Sequence, residues 1–472
     1  MTTSVRILLV VLWVVMTAPL VLLGYGSDND AWRVARAAEE MWDTGRYVNS
    51  RATGFPLYEI IVTPAVHHGG WYLSNTLSLL FGLGLIAALL RLARTDDFKH
   101  PLLVFVSIAF LPIVVKNASS TMDYIPALAI LMWAYVALRE DKWIVGAALV
   151  GLACGFRPTS SLYIIPAVIY AIGQNQKWVT IVSMVGIAVV FGAVSYSPAL
   201  FSAGVSNPLG DIRWSSEVLV LVGGYNWLQM LGILQTIVVA VMLAWYLGKM
   251  MRRDASYLRS PHFAFHASVV VVWTMLYVLM PYESAYLLPA VPSVIFIIDR
   301  LFERKPFVVV TILLVSFHIV QFDVLGGESG KREIELSIRD GSTIDEVEDR
   351  RFRLSVRRAV GNWTPDRPTI LFFGDSWIPA VNDDWDLDPK RGMYRRNDGL
   401  VYISKPILDE TAVNALYTEG FRLVVWRGAK RDYVDYGFDS WESYIEVVDD
   451  LGSLFDAPVE GRWKSDKRRR PL

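Results

Sequence analysis

About eleven apolar stretches, separated by short polar loops, leave few folds open to this chain. They fall near 7–25, 72–92, 101–115, 124–138, 143–156, 159–173, 178–200, 228–248, 262–281, 284–299 and 306–324, with a further short run at 217–223. In a bilayer the lipid solvates such runs, and each closes its own backbone hydrogen bonds as a helix. The chain is 53% hydrophobic and 19% charged, with a mean hydropathy of +0.36, beyond the usual range of soluble domains. The pattern predicts a polytopic α-helical membrane protein whose first apolar run is a retained helix rather than a cleaved signal. Several runs are short: 14 residues of helix cover ~21 Å of a ~30 Å hydrocarbon core. The pair 143–156 and 159–173, joined at Phe156-Arg157-Pro158-Thr159, is therefore expected to dip and return or to flank a cavity.

Basic residues set the expected orientation. One set of loops carries Arg91, Arg94 and Lys99; Arg139 and Lys142; Lys177; Lys249, Arg252, Arg253 and Arg259; and Arg300, Arg304 and Lys305. The opposite short loops offer Lys116, Arg157 and Arg213. The positive-inside rule places the first set in the cytoplasm of a plasma-membrane protein, with the N-terminus inside. The loop 26–70 and everything beyond residue 325 then face outward. A formal net charge of −1 argues against a nucleic-acid surface. The single cysteine, Cys154, excludes a disulfide framework and a cysteine metal cluster.

The polar passage Ser27–Glu59 is the informative loop. Trp32, Ala35, Ala38 and Met41 recur at helical spacing, Asp28 or Asp30 precedes them as an N-cap, and Gly45 ends the run. Leu57–Val66 is apolar but carries Pro64, which predicts a segment lying along the interface. His67 and His68 read as exposed loop residues. Beyond residue 325, a charged helix near 343–360 is followed by strand patterns at 368–374, 399–404 and 421–426 and a helix at 409–419, which predicts a small α/β domain at 325–472. Gly374-Asp375-Ser376 lacks a nucleophile elbow, and no histidine follows His318, so a serine hydrolase is excluded there.

The charges expected on the outer face include Asp28, Asp30, Arg51, Glu59, Lys116, Asp123, Arg157 and Glu283. Carboxylates beside cations at one bilayer face suit transfer from a donor with an anionic leaving group. A carboxylate takes the proton of an attacking hydroxyl, and an arginine fork neutralises the departing phosphate. Arg51, Lys116 and Arg157 are the phosphate candidates by charge and placement.

Four features resemble the GT-C superfamily of membrane glycosyltransferases, which includes the protein O-mannosyltransferases and the lipid A aminoarabinose transferases. They are the Asp30–Gly45 helix leading into Ser50-Arg51 and Gly54-Phe-Pro-Leu-Tyr-Glu59; Gly151-Leu-Ala-Cys-Gly-Phe-Arg-Pro-Thr159; Tyr286-Leu-Leu-Pro-Ala-Val-Pro292; and about eleven spans with an extracytoplasmic C-terminal domain. The resemblance covers most of 1–324, the implied catalytic module. It implies transfer of a sugar from a polyprenyl-phosphate donor to a hydroxyl of a glycan, lipid or protein acceptor, with inversion. It also implies a first-loop aspartate as general base. Gly45 sets the register to Asp30, with Asp28 as runner-up. Asp123, Glu283 and Tyr286 fall in the implied donor region, although Glu283 stands where many relatives carry a basic residue. No metal or other cofactor is assigned. The competing expectation is a transporter or lipid-carrier flippase, against which stand the lack of a clear inverted repeat and the clustering of polar residues at one face.

Overall fold

In the computed structural model the described residues are 2–51, 53–95, 98–202, 231–253, 256–280, 284–326, 334–374, 377–381, 385–388, 393–404, 410–429 and 444–462. Two compact units divide the chain. One comprises Met1–Tyr25, Ala37–Ile344 and Asp466–Leu472; the other comprises Gly26–Arg36 and Asp345–Ser465.

The first unit is a helical membrane bundle. Among the described residues five helices are long and apolar enough to cross a bilayer: Thr3–Val21 (α1), the long α3 at Pro56–Thr95, Trp178–Phe201 (α9), Ile233–Arg253 and Pro261–Leu279. A sixth span is the pair Pro101–Ala109 (α4) and Pro112–Ala118 (α5), bent by 57° at a break before Pro112. Tyr124–Arg139 (α6), Trp143–Phe156 (α7) and Ile164–Gly173 (α8) are shorter apolar helices. The protein is thus a multi-pass membrane protein.

The segment 57–66 is helical through Pro64 and is set off from the next span by a kink at Gly70, whose φ of 53° is non-helical. Two expectations are corrected. The second half of the predicted 143–173 pair opens as a 3₁₀ turn, Pro158–Tyr163, because Arg157 is extended and Pro158 cannot continue α7. The last run does not stay helical to 324. Its helix, Arg304–Ser316, stops before a strand, Val320–Gly326 (β1), which pairs antiparallel with Ile334–Asp340 (β2) from Val320↔Asp340 to Gly326↔Ile334. The short run 217–223 lies outside the described residues.

Small residues let the bundle close. A side chain at Gly151 would meet the Ala188 carbonyl oxygen at 2.5 Å and the Gly192 nitrogen at 2.9 Å, so α7 and α9 touch backbone to backbone. One turn on, Gly155 leaves room for Leu57 of α3 and Ser195 of α9. This packing fixes the end of α7, where Arg157 stands.

The second unit holds a six-stranded mixed sheet in the order β4-β5-β6-β3-β7-β8. Its strands are Thr369–Phe372 (β3), Trp385–Asp388 (β4), Met393–Arg396 (β5), Val401–Ser404 (β6), Arg422–Trp426 (β7) and Ile445–Val448 (β8). The centre β6-β3-β7-β8 is parallel and the β4-β5 edge antiparallel. The continuous apolar runs of β3 and β6 are buried on both faces. Phe352, Val356 and Val360 of the helix Ser342–Asn362 pack on one side, and Val413 and Leu416 on the other.

Candidate functional site

Three elements of the membrane unit bring charge together. Asp123 stands at the N-cap position of α6 but makes no capping bond with its side chain. Its carboxylate is fully buried and accepts from Arg51 Nη2 on one oxygen and Arg157 Nη1 on the other, each at 2.5 Å. Burial would raise this carboxyl in the loop before α6, but the two guanidiniums outweigh it and hold Asp123 below the usual carboxylate range. The partial positive charge at the helix N-terminus acts in the same direction.

Aromatic rings wall the two cations. Arg51 lies 3.7 Å over the ring of Phe55, and Arg157 lies 4.1 Å from Tyr124 and 4.8 Å from Tyr286. Arginine tolerates this stacking better than lysine because its guanidinium is planar and more weakly hydrated. Two arginines and one aspartate leave a formal excess of one positive charge.

The supports are polar and local. Thr121, two residues before Asp123, donates its backbone N–H to Tyr25 O at 2.8 Å and its hydroxyl to Asn75 Oδ1 at 2.8 Å. Asn75 in turn caps the end of the first span through the carbonyls of Val21 and Gly24. Glu59, in the first turn of α3, is buried and organises the loop that carries Arg51. It accepts from Tyr47 Oη at 2.5 Å, Ser50 N at 2.8 Å, the Ser50 hydroxyl and Phe55 N at 2.9 Å. Gly54 closes the loop at φ 69°, and a side chain there would meet Tyr47 Oη at 2.6 Å. The Tyr196 hydroxyl of α9 donates to Thr53 O.

Of the residues singled out by sequence, Arg51, Asp123, Arg157 and Tyr286 come together. Lys116 is half-buried in the last turn of α5, one short link before Asp123. Glu283 and Arg213 lie outside the described residues. Asp28 and Asp30 belong to the second unit, at the start of Asn29–Thr44 (α2). There Asp28 is the N-cap, its Oδ1 accepting from Asp30 N at 2.9 Å, while Asp30 Oδ1 pairs with Arg33 at 2.8 Å in the first turn. Sequence reasoning counted Glu59 among the outer-face charges without giving it a role, and passed over Phe55 and Tyr124. The available signal was Gly54-Phe-Pro-Leu-Tyr-Glu59, where a carboxylate four residues after the Phe of a Gly-Phe-Pro turn can reach back to that residue's N–H. Among the described residues no cluster of three or more His, Cys, Asp or Glu side chains is arranged to hold a metal ion.

No protein-family model matches the sequence, and no curated protein sequence matches it. The structure, however, superposes on the crystal structure of ArnT from Cupriavidus metallidurans bound to undecaprenyl phosphate. The match has a TM-score of 0.50 and 13% identity, and covers 96% of this chain and 91% of that one. The chain shares the fold of ArnT. The apo state of the same enzyme aligns with a TM-score of 0.46, again at 13% identity. At this identity the likeness to ArnT concerns architecture, a helical membrane module followed by a C-terminal mixed α/β sheet domain, nearly end to end.

Proposed function

We propose that the protein is a membrane glycosyltransferase that takes a sugar from a polyprenyl-phosphate donor. The observation that carries this reading is the buried Arg51–Asp123–Arg157 cluster, two arginine forks set by one carboxylate and stacked on aromatic rings. The shared fold supports it, since the solved ArnT structure holds undecaprenyl phosphate. In this reading about eleven spans cross the plasma membrane, the N-terminus is inside, and the C-terminal domain and site face outward.

Arg51 and Arg157 bind the donor phosphate, and Lys116 adds charge at its edge. Asp123 sets the separation of the two guanidiniums and, with Tyr286, lines the donor site. An acceptor hydroxyl attacks the anomeric carbon from the side opposite the phosphate. The new C–O bond forms as the anomeric C–O(phosphate) bond breaks, and the electron pair leaves on the phosphate with inversion. The hydroxyl proton passes to the carboxylate of Asp30. Arg51 and Arg157 meet the charge that develops on the leaving group.

The test is transfer by purified protein from a polyprenyl-phosphate sugar to a hydroxyl acceptor, with wild type and Asp30→Asn compared. Transfer by wild type and its loss in the variant are expected. Full activity in Asp30→Asn removes the base assignment. Movement of lipid carrier across liposomes without any transfer replaces the reading with a transporter.

A further inference from the structure

The second unit is built from two distant parts of the chain: its sheet domain and the eleven residues Gly26–Arg36. The contacts between them are specific. On the helix Ser342–Asn362, Glu346, Asp349, Arg350 and Arg353 share one face by their three- and four-residue spacing, and all four are buried. They form two ion pairs, Glu346–Arg350 at 2.6 Å and Asp349–Arg353 at 2.7 Å. Each pair has a second bond to the N-terminal segment. Glu346 Oε2 accepts from the Ser27 hydroxyl at 2.6 Å, and Arg353 Nη1 donates to Asn29 Oδ1 at 2.5 Å. The two bonds straddle Asp28 and end one residue before Asp30.

Further contacts fix the rest of the segment. Trp32 Nε1 donates to Gly26 O at 2.8 Å, Arg357 lies 5.5 Å from the Trp32 ring, and Arg36 lies 4.0 Å over Tyr394 of β5. Ala31, Val34 and Ala35 are buried. Apolar residues would serve packing alone, since replacing a buried ion pair by well-packed apolar groups is often neutral or stabilising. What two buried ion pairs with one outward bond each supply is direction: they fix where the segment lies and how the first turns of α2 are rotated.

We propose that Glu346 and Arg353 are positioning residues for Asp30, and that a task of the C-terminal domain is to hold the segment Gly26–Arg36 in register. The inference rests on the reading of Asp30 as the base, and its test separates the two. Full-length protein in nanodiscs is compared as wild type, Arg353→Ala, Arg353→Lys and the loop-side double variant Ser27→Ala/Asn29→Ala. The double variant removes both bonds to the segment but leaves both ion pairs in place, so it reports even if Arg353→Ala does not fold. Backbone amide exchange over 27–34 is expected to rise about tenfold in Arg353→Ala and in the double variant, with 47–59 unchanged. Binding of undecaprenyl phosphate is expected to stay at the wild-type level. Turnover of a polyprenyl-phosphate sugar is expected to lose about tenfold in kcat with donor KM held, and Arg353→Lys is expected to recover part of it. Unchanged exchange at 27–34, or a rise spread evenly over the whole unit, overturns the proposal. A local rise in a protein with no transfer activity upholds the positioning of the segment while removing the transferase reading.

Discussion

Asp123 and Arg157 meet at 2.5 Å, the carboxylate fully buried and the guanidinium nearly so, and the other oxygen of the same carboxylate is held by Arg51. Removing one partner of a buried pair leaves an uncompensated charge, at a cost of about 3–5 kcal/mol. Asp123→Ala is therefore expected to lower thermal stability strongly. Asp123→Asn keeps the shape but not the charge, so it is expected to be the milder variant and still to weaken binding of undecaprenyl phosphate. Thermal unfolding in detergent and a lipid-phosphate binding assay measure the two effects. A wild-type unfolding midpoint in Asp123→Ala would mean the arginines do not depend on this carboxylate.

Arg157 is both a charge and a plane, stacked near Tyr124 and Tyr286 while one nitrogen holds Asp123. Lysine keeps the charge and loses the fork and the stacking. Arg157→Lys is expected to weaken lipid-phosphate binding about tenfold, or ~1.4 kcal/mol, and Arg157→Ala by more. Equal binding by Arg157→Lys and wild type would reduce the site to a point charge.

The membrane character, strands β3, β6 and β7 of the sheet domain and the helix end before Arg157 were legible because each is carried by local pattern. Apolar runs announce spans, β-rich runs announce buried strands, and a Pro after Arg157 marks a helix end. The site's geometry was not legible, because Asp123 reaches Arg51 across 72 positions and Arg157 across 34, and no local rule orients the three side chains. The separation of Asp28 from Asp30 likewise needed the backbone, since either carboxylate fits an N-cap by sequence and the observed bond assigns the cap to Asp28. The early end of the last span was hidden because the isoleucine and valines of 319–324 serve a strand as well as a helix.

Glu59 holds the Arg51 loop through four donors. A glutamine has one carbonyl oxygen to accept with, and its NH₂ faces groups that are themselves donors. Each buried donor left unpaired costs about 1–3 kcal/mol. Glu59→Gln is expected to loosen residues 47–55, seen as faster amide exchange there, and to raise the donor KM more than it lowers kcat. A kcat loss with unchanged KM would place Glu59 in the chemistry rather than behind Arg51.

Asp28 and Asp30 are separable by chemistry. A cap is replaceable by any good capping side chain, whereas a base is not. Asp28→Ala is expected to cost about 1 kcal/mol of stability, and Asp28→Asn is expected to restore both stability and transfer. Asp30→Asn is expected to keep stability and lose transfer. The reverse pattern would exchange the two roles.

His318 stands between the last membrane helix and β1, buried, and is bonded on both nitrogens. Nε2–H donates to Phe110 O at 2.6 Å, at the break between α4 and α5, and Nδ1 accepts the Thr343 hydroxyl at 2.5 Å. The tautomer follows from these partners. Burial pushes the imidazole below its ordinary value, and the Phe110 carbonyl, which favours the charged form, opposes this only in part. The unfolded chain therefore binds a proton at a pH where the folded one resists it. The contribution to stability is full above about pH 6.5 and is lost as pH falls from there through the folded value. The unfolding midpoint is expected to drop between about pH 7 and pH 5, and His318→Gln is expected to flatten that drop whatever its own stability. Parallel pH curves for the two proteins would show that protonation of His318 is not coupled to unfolding.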